Sequence, residues 1–103
     1  HVLIWGIQDA LAYTQRALVY CWQNQYEQAL EDCTRALAID YASAETYGVL
    51  GLIYTRQKQY ARALIDFEKA RTFGHNLFWI TESYNDAKRQ MADIKAAQEK
   101  GNK

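Results

Sequence analysis

The sequence predicts an all-α fold of stacked antiparallel helix hairpins, closed by an amphipathic C-terminal helix. Three observations carry that prediction. Tyr13, Tyr20, Tyr26, Ala29 and Ala36 recur at one constant offset as Tyr47, Tyr54, Tyr60, Ala63 and Ala70, and a fixed internal period of this size marks stacked supersecondary units. Apolar residues follow steps of three and four almost throughout, which is the helical period. Proline is absent, so short polar breaks are the only punctuation between helical stretches.

The first helix is expected near residues 9–23, on the stripe Leu11, Leu18, Cys21 and Trp22 with Tyr13, Ala17 and Tyr20 beside it. Asp9 is placed to cap its N-terminus. Residues 1–8 read as an apolar N-terminal flank. Gln23, Asn24 and Gln25 suit a tight turn. A second helix follows over 26–39, with Ala29, Leu30, Cys33, Ala36 and Leu37 at helical spacing. Asp40, Tyr41, Ala42 and Ser43 form the next break, with Ser43 as N-cap. Without a proline there, a second outcome stands beside it: one long helix through 40–43, which favours exchange of units between chains. The third helix is expected over 44–57 and the fourth over 60–73, ended by Gly74 in a left-handed C-cap. Asn76 would cap a fifth helix. Its stripe Leu77, Ile80, Tyr84, Ala87, Met91 and Ile94 lies opposite Glu82, Asp86, Lys88, Arg89, Asp93 and Lys95. Such a two-faced helix suits the end of a repeat stack, here over 78–100 with a frayed tail at 101–103.

Small residues recur where helices must approach: Ala17 and Gly51 in the first helices of each unit, Ala29 and Ala63 in the second. Tyr13, Tyr20, Leu50, Tyr54 and Phe67 fill the space beside them, the alternation that brings a hairpin to native packing density. This pattern resembles the tetratricopeptide repeat, a family of helix–turn–helix units. Residues 44–77 carry the clearer copy, in Tyr47, Leu50-Gly51, Tyr54, Tyr60, Ala63, Phe67 and Ala70. Residues 10–43 carry a second, with Arg16 in place of the leucine, Cys33 in place of the aromatic, and Tyr41, like His75 in the other copy, in place of proline. The resemblance implies a right-handed superhelix whose first helices line a concave groove. It implies groove residues Leu11, Thr14, Gln15, Leu18, Cys21 and Trp22 from the first unit. From the second it implies Glu45, Gly48, Val49, Leu52, Thr55 and Arg56. The cap helix adds Trp79, Glu82, Ser83 and Asp86.

Some relatives grip a chaperone's C-terminal carboxylate with lysine, arginine and asparagine. The matching places here hold Thr14, Leu18, Val49, Trp79 and Ser83, or Gln15, Glu45 and Val49 in the shifted register. Neither set supplies the cations a carboxylate needs. What remains is an apolar strip suited to an apolar peptide or an amphipathic helix, with Trp22 as its hot-spot candidate. Residues 1–8, a neighbouring repeat or a second copy of the chain are alternative covers for that strip.

Composition excludes several other functions. A chain of 103 residues is one domain, and a domain of that size buries roughly 60–68% of its unfolded surface, which leaves little for a deep pocket. Acidic and basic residues balance to zero net charge, removing the usual case for nucleic acid or an anionic membrane. Cys21 and Cys33 form no metal motif and read as small buried hydrophobes in a reducing compartment, taken as the cytoplasm. The run His1–Ile7 has no basic leader or cleavage site, and Gln8, Asp9, Gln15 and Arg16 interrupt it well before the roughly 20 apolar residues of a membrane span. The missing initiator methionine is expected of a segment cut from, or processed out of, a longer protein. His1 and His75 lack a second ligand at metal spacing. Ser43 and Ser83 lack a His/Asp pattern, Asp66 and Glu68 face different ways, and Gly48, Gly51 and Gly74 build no phosphate loop. The expected function is therefore a non-catalytic, cofactor-free protein-interaction module. Structural self-association within a larger protein is the alternative.

Overall fold

A computed structural model describes residues 2–74 and 78–101, with the backbone alone for residues 2–5, 7 and 78. Among them it contains five helices and no strand: α1 (Val2–Trp22), α2 (Tyr26–Ile39), α3 (Ala44–Arg56), α4 (Tyr60–Phe73) and α5 (Phe78–Gly101). The expected bounds of α2 and α4 match at both ends, and α3 stops one residue early. The cap expected at Asn76 and the stripe residue Leu77 lie outside the described residues.

The start of α1 departs from expectation. The helix begins at Val2, so Asp9 sits inside it rather than capping it. Residues 2–8 are the first turns of α1, not a separate flank. The extension runs beside the end of α2, where a β-carbon at Gly6 would sit 3.1 Å from Ile39.

Both hairpin turns are built alike. Gln25 N–H donates to Tyr20 O at 2.8 Å and Asn24 N–H to Cys21 O at 3.1 Å. In the second unit Gln59 N–H donates to Tyr54 O at 2.8 Å and Lys58 N–H to Thr55 O at 2.9 Å. These are paired Schellman closures, which satisfy the last carbonyls of the preceding helix and need a left-handed residue in the middle. Asn24 and Lys58 take that role, with φ of 64° and 63°. The left-handed cap expected at Gly74 is not formed, because Gly74 is extended, with φ −123°. Glycine is needed there for proximity instead: a β-carbon would collide with that of Ala44.

The junction 40–43 breaks the helix. Ser43 Oγ accepts from Thr46 N–H at 3.3 Å, as an N-cap does. Asp40 N–H closes α2 by donating to Ala36 O at 2.8 Å. The continuous-helix alternative is therefore not the geometry adopted.

Packing divides into two apolar clusters. Ala17, Cys21, Ala29, Cys33, Val49 and Ile53 form the first; Ala63, Phe67, Ala70, Ile80 and Ala87 form the second. Leu52 packs against both. The repeat positions that hold Ala17 and Cys33 in the first hairpin hold Gly51 and Phe67 in the second. The volumes compensate: a β-carbon on Gly51 would lie 2.5 Å from the Phe67 ring, so the larger ring demands the smaller partner.

Arg16, the mismatch to the expected leucine, is paired rather than stranded. Its guanidinium donates to both oxygens of Asp32 at 2.7 and 2.8 Å, and Arg35 adds a third bond at 3.0 Å. Asp32 is 1% exposed, so three charge-assisted bonds are what permits its burial. The Arg16 guanidinium also lies 5.7 and 5.8 Å from the Tyr13 and Tyr20 ring centres. The equivalent Leu50 packs on the first cluster.

Helix α5 follows α4 for only part of its length. Its 24 residues span about 36 Å against about 21 Å for the 14 of α4. Ile80 and Ala87 are buried, while Met91 and Ile94 are exposed, and the helix continues in solvent.

Candidate functional site

The first helix of each unit meets the next along one seam. Thr14 Oγ1 lies 2.7 Å from Thr46 Oγ1, which in turn lies 2.8 Å from Ser43 Oγ. Thr14 also donates to Ala10 O at 2.9 Å. The seam between α3 and α5 repeats the offset: a β-carbon on Gly48 would lie 3.1 Å from Ile80. Thr14 meets Thr46 and Gly48 meets Ile80, each pair 32 residues apart. Helix α5 thus docks on α3 as α3 docks on α1, and all three contribute to one face.

That seam decides which predicted groove residues reach the surface. Leu11 is 41% exposed and Trp22 58%. Gln15, Glu45 and Arg56 are exposed, and Leu18, Leu52 and Thr55 are half-buried. Three others are corrected. Thr14, Cys21 and Val49 are buried: Thr14 is spent in the threonine seam, and Cys21 and Val49 belong to the first cluster. They hold the floor in place and offer no atoms to a ligand. Gly48 is buried as well, because the Trp79 ring lies across it; a β-carbon there would fall 2.5 Å from Trp79.

Trp22 is braced rather than free. The Arg56 guanidinium sits 5.0 Å from its ring centre and donates to Asn24 Oδ1 at 3.0 Å. Asn24 Oδ1 also accepts from Tyr26 O–H at 3.0 Å. The left-handed turn residue therefore holds Arg56, and Arg56 holds the indole. A cation against an indole face contributes about 0.5–1 kcal/mol at an exposed site. Sequence reasoning misses this brace; its one available signal is Asn24 in a polar turn, a residue type that tolerates the left-handed region.

The two thiols are buried, and burial pushes Cys33 up to about 12 and raises Cys21 above the ordinary thiol range. Among the described residues no three histidine, cysteine, aspartate or glutamate side chains converge on a metal position, and no helix is long and apolar enough to cross a membrane.

Paired antiparallel helices, a constant repeat length and stacked first helices define a helical-repeat protein of the α-solenoid class. The chain matches the tetratricopeptide repeat family over residues 8–73, well over half of its length. It belongs to that family, whose repeats generally mediate protein–protein interaction.

Proposed function

We propose that this chain is a non-catalytic interaction module that takes an apolar peptide or amphipathic helix on the face formed by α1, α3 and α5. The observation that carries the reading is the aligned apolar row Leu11, Leu18 and Trp22 on α1, continued by Leu52 on α3. Leu11 and Trp22 leave large apolar area in water, and the Arg56 guanidinium against the indole favours one orientation of the ring, which lowers the ordering cost of binding. Gln15, Glu45, Thr55 and Arg56 form the polar rim. Thr14, Cys21 and Val49 act beneath, as floor. Self-association by exchange of helices across the 40–43 junction is the alternative reading; in the single chain that junction is a break between α2 and α3.

The test is selection of displayed random peptides on the wild-type chain, followed by binding to a Leu11→Glu, Trp22→Glu variant of unchanged helicity. Both side chains are exposed, so the fold tolerates the change. Selected peptides should lose at least about tenfold in affinity, the equivalent of about 1.4 kcal/mol. Equal affinity for both proteins would move the site off this face.

A further inference from the structure

We propose that the groove selects a cationic amphipathic segment, which lays its apolar edge on α1 and carries lysine or arginine toward α5. This rests on the groove reading above and adds the chemistry of the occupant.

The argument is a gradient across the three helices. The shared seam offset puts α1, α3 and α5 in one register, so steps of one repeat connect equivalent places. One row runs Leu18, Leu52, Asp86. The next runs Thr14, Gly48, Glu82. Glu45 occupies the row above, between Leu11 and Trp79. In these rows α1 presents Leu11 and Leu18, α5 carries Glu82 and Asp86 beside Trp79, and α3 adds Glu45, with all three carboxylates exposed. No lysine or arginine stands in these three rows.

The cations of this face, Arg56 and Arg89, follow in the adjoining rows, and each has a partner. Arg56 is held against Trp22 and Asn24. Arg89 lies 3.9 Å from Asp86, both well exposed, a loose pair that competes weakly for the carboxylate. Glu45 and Glu82 form no ion pair among the described residues. An occupant that carries cations along one edge of its apolar face complements both the α1 leucines and the α5 carboxylates. An acidic one meets like charge at Glu82 and Asp86. Because the whole chain is neutral, this preference is local to the groove, setting which segment fits rather than steering from a distance.

The probes are two labelled synthetic peptides with one shared leucine pattern, polar positions all lysine in one and all glutamate in the other. Binding is read by fluorescence anisotropy at low salt, at concentrations where both peptides are monomeric. The leucine–lysine peptide should bind about tenfold tighter. A Glu82→Gln, Asp86→Asn variant should erase most of that preference, and both changes sit on exposed positions. Trp22→Ala should weaken the leucine–lysine peptide on either background. Equal binding of the two peptides, still sensitive to Trp22→Ala, would overturn the charge inference and leave the groove reading standing. A lysine preference that survives in the double variant would also overturn it, by placing cation recognition elsewhere. Failure of both peptides to bind would overturn the groove reading itself, and this inference with it.

Discussion

Replacing Lys58 with glycine should stabilise the protein, whereas the same change at Asn24 should not. Both residues occupy the left-handed centre of a Schellman turn, with φ of 63° and 64°. A β-carbon in that region costs about 1–2 kcal/mol, and glycine removes the cost. Glycine also gains freedom in the unfolded chain, which takes back roughly 0.5–1 kcal/mol. The net expected for Lys58→Gly is a stabilisation of about 0.5–1 kcal/mol, or about 2–8 °C in Tm for a domain of this size. Asn24 differs in two ways. Asparagine tolerates the left-handed region better, so less strain is relieved. Its Oδ1 also accepts bonds from Tyr26 and Arg56, which glycine deletes at about 1 kcal/mol in sum, given their exposure. Asn24→Gly should therefore be neutral or destabilising by up to about 1 kcal/mol. Urea unfolding followed by far-UV circular dichroism measures both, with an unchanged m-value as the check that only stability moved. Equal responses at the two sites, or a loss at Lys58, would refute the assignment of strain to Lys58 and of a side-chain role to Asn24.

Three further outcomes are expected. Gly51→Ala should cost about 1–3 kcal/mol by overpacking against Phe67, and Phe67→Leu should recover part of the loss in the double variant; additive losses in denaturant titrations would contradict the contact. Asp32 and Asp66 share one repeat position, yet Arg16 and Arg35 hold the Asp32 carboxyl below its usual range while burial raises that of Asp66. The stabilising effect of Asp32 is thus fully present above about pH 4 and fades as pH falls through its lowered value, while ionisation of Asp66 costs stability as pH rises through its raised one. Asp32→Asn should lower stability at pH 7 by about 1–3 kcal/mol and flatten the acid limb, and Asp66→Asn should raise it at pH 7 by no more than about 1 kcal/mol with no effect in acid; the two stability–pH curves check both signs. Finally, Cys21 and Cys33 are buried with raised thiol pKa values, so iodoacetamide at pH 8 should label both only at the rate of unfolding, whereas fast labelling of either in the native protein would contradict its burial.

Much of the fold is legible because the repeat is written in residue size. Ala29 and Ala63, Ala36 and Ala70 fall at matching buried places, and the polar breaks fix the ends of α2 and α4. Local capping logic serves less well. Asp9 has the chemistry of an N-cap, but the preceding apolar run also has helical character and simply extends α1. Gly74 invites a left-handed reading, yet the left-handed positions belong to Asn24 and Lys58, where the pattern of turn hydrogen bonds, not residue type, sets φ. The site is half legible for a geometric reason. The apolar stripe of a first helix is wider than the groove, and one edge of it faces the neighbouring first helix. Leu11, Leu18 and Trp22 fall on the open edge, and Thr14 and Cys21 on the closed one. Only the seam between α1 and α3 distinguishes them. The Arg16–Asp32 pair is invisible in the sequence because its members stand on different helices, far beyond the reach of any i,i+4 rule, at a position where leucine is expected.

Leu52 touches both apolar clusters and also belongs to the groove proposed above. The first cluster already crosses the hairpin boundary through Val49 and Ile53 on α3, and Leu52 carries that crossing on to the second cluster. Trimming it should weaken the coupling between the two interiors, seen as a broadened urea transition with a lower apparent m-value. A ligand seated on Leu52 would act in the opposite sense. By pressing on the side chain that both interiors share, it would tie their opening together, so occupancy should register as slower amide exchange in α2 and α4, helices the ligand never touches.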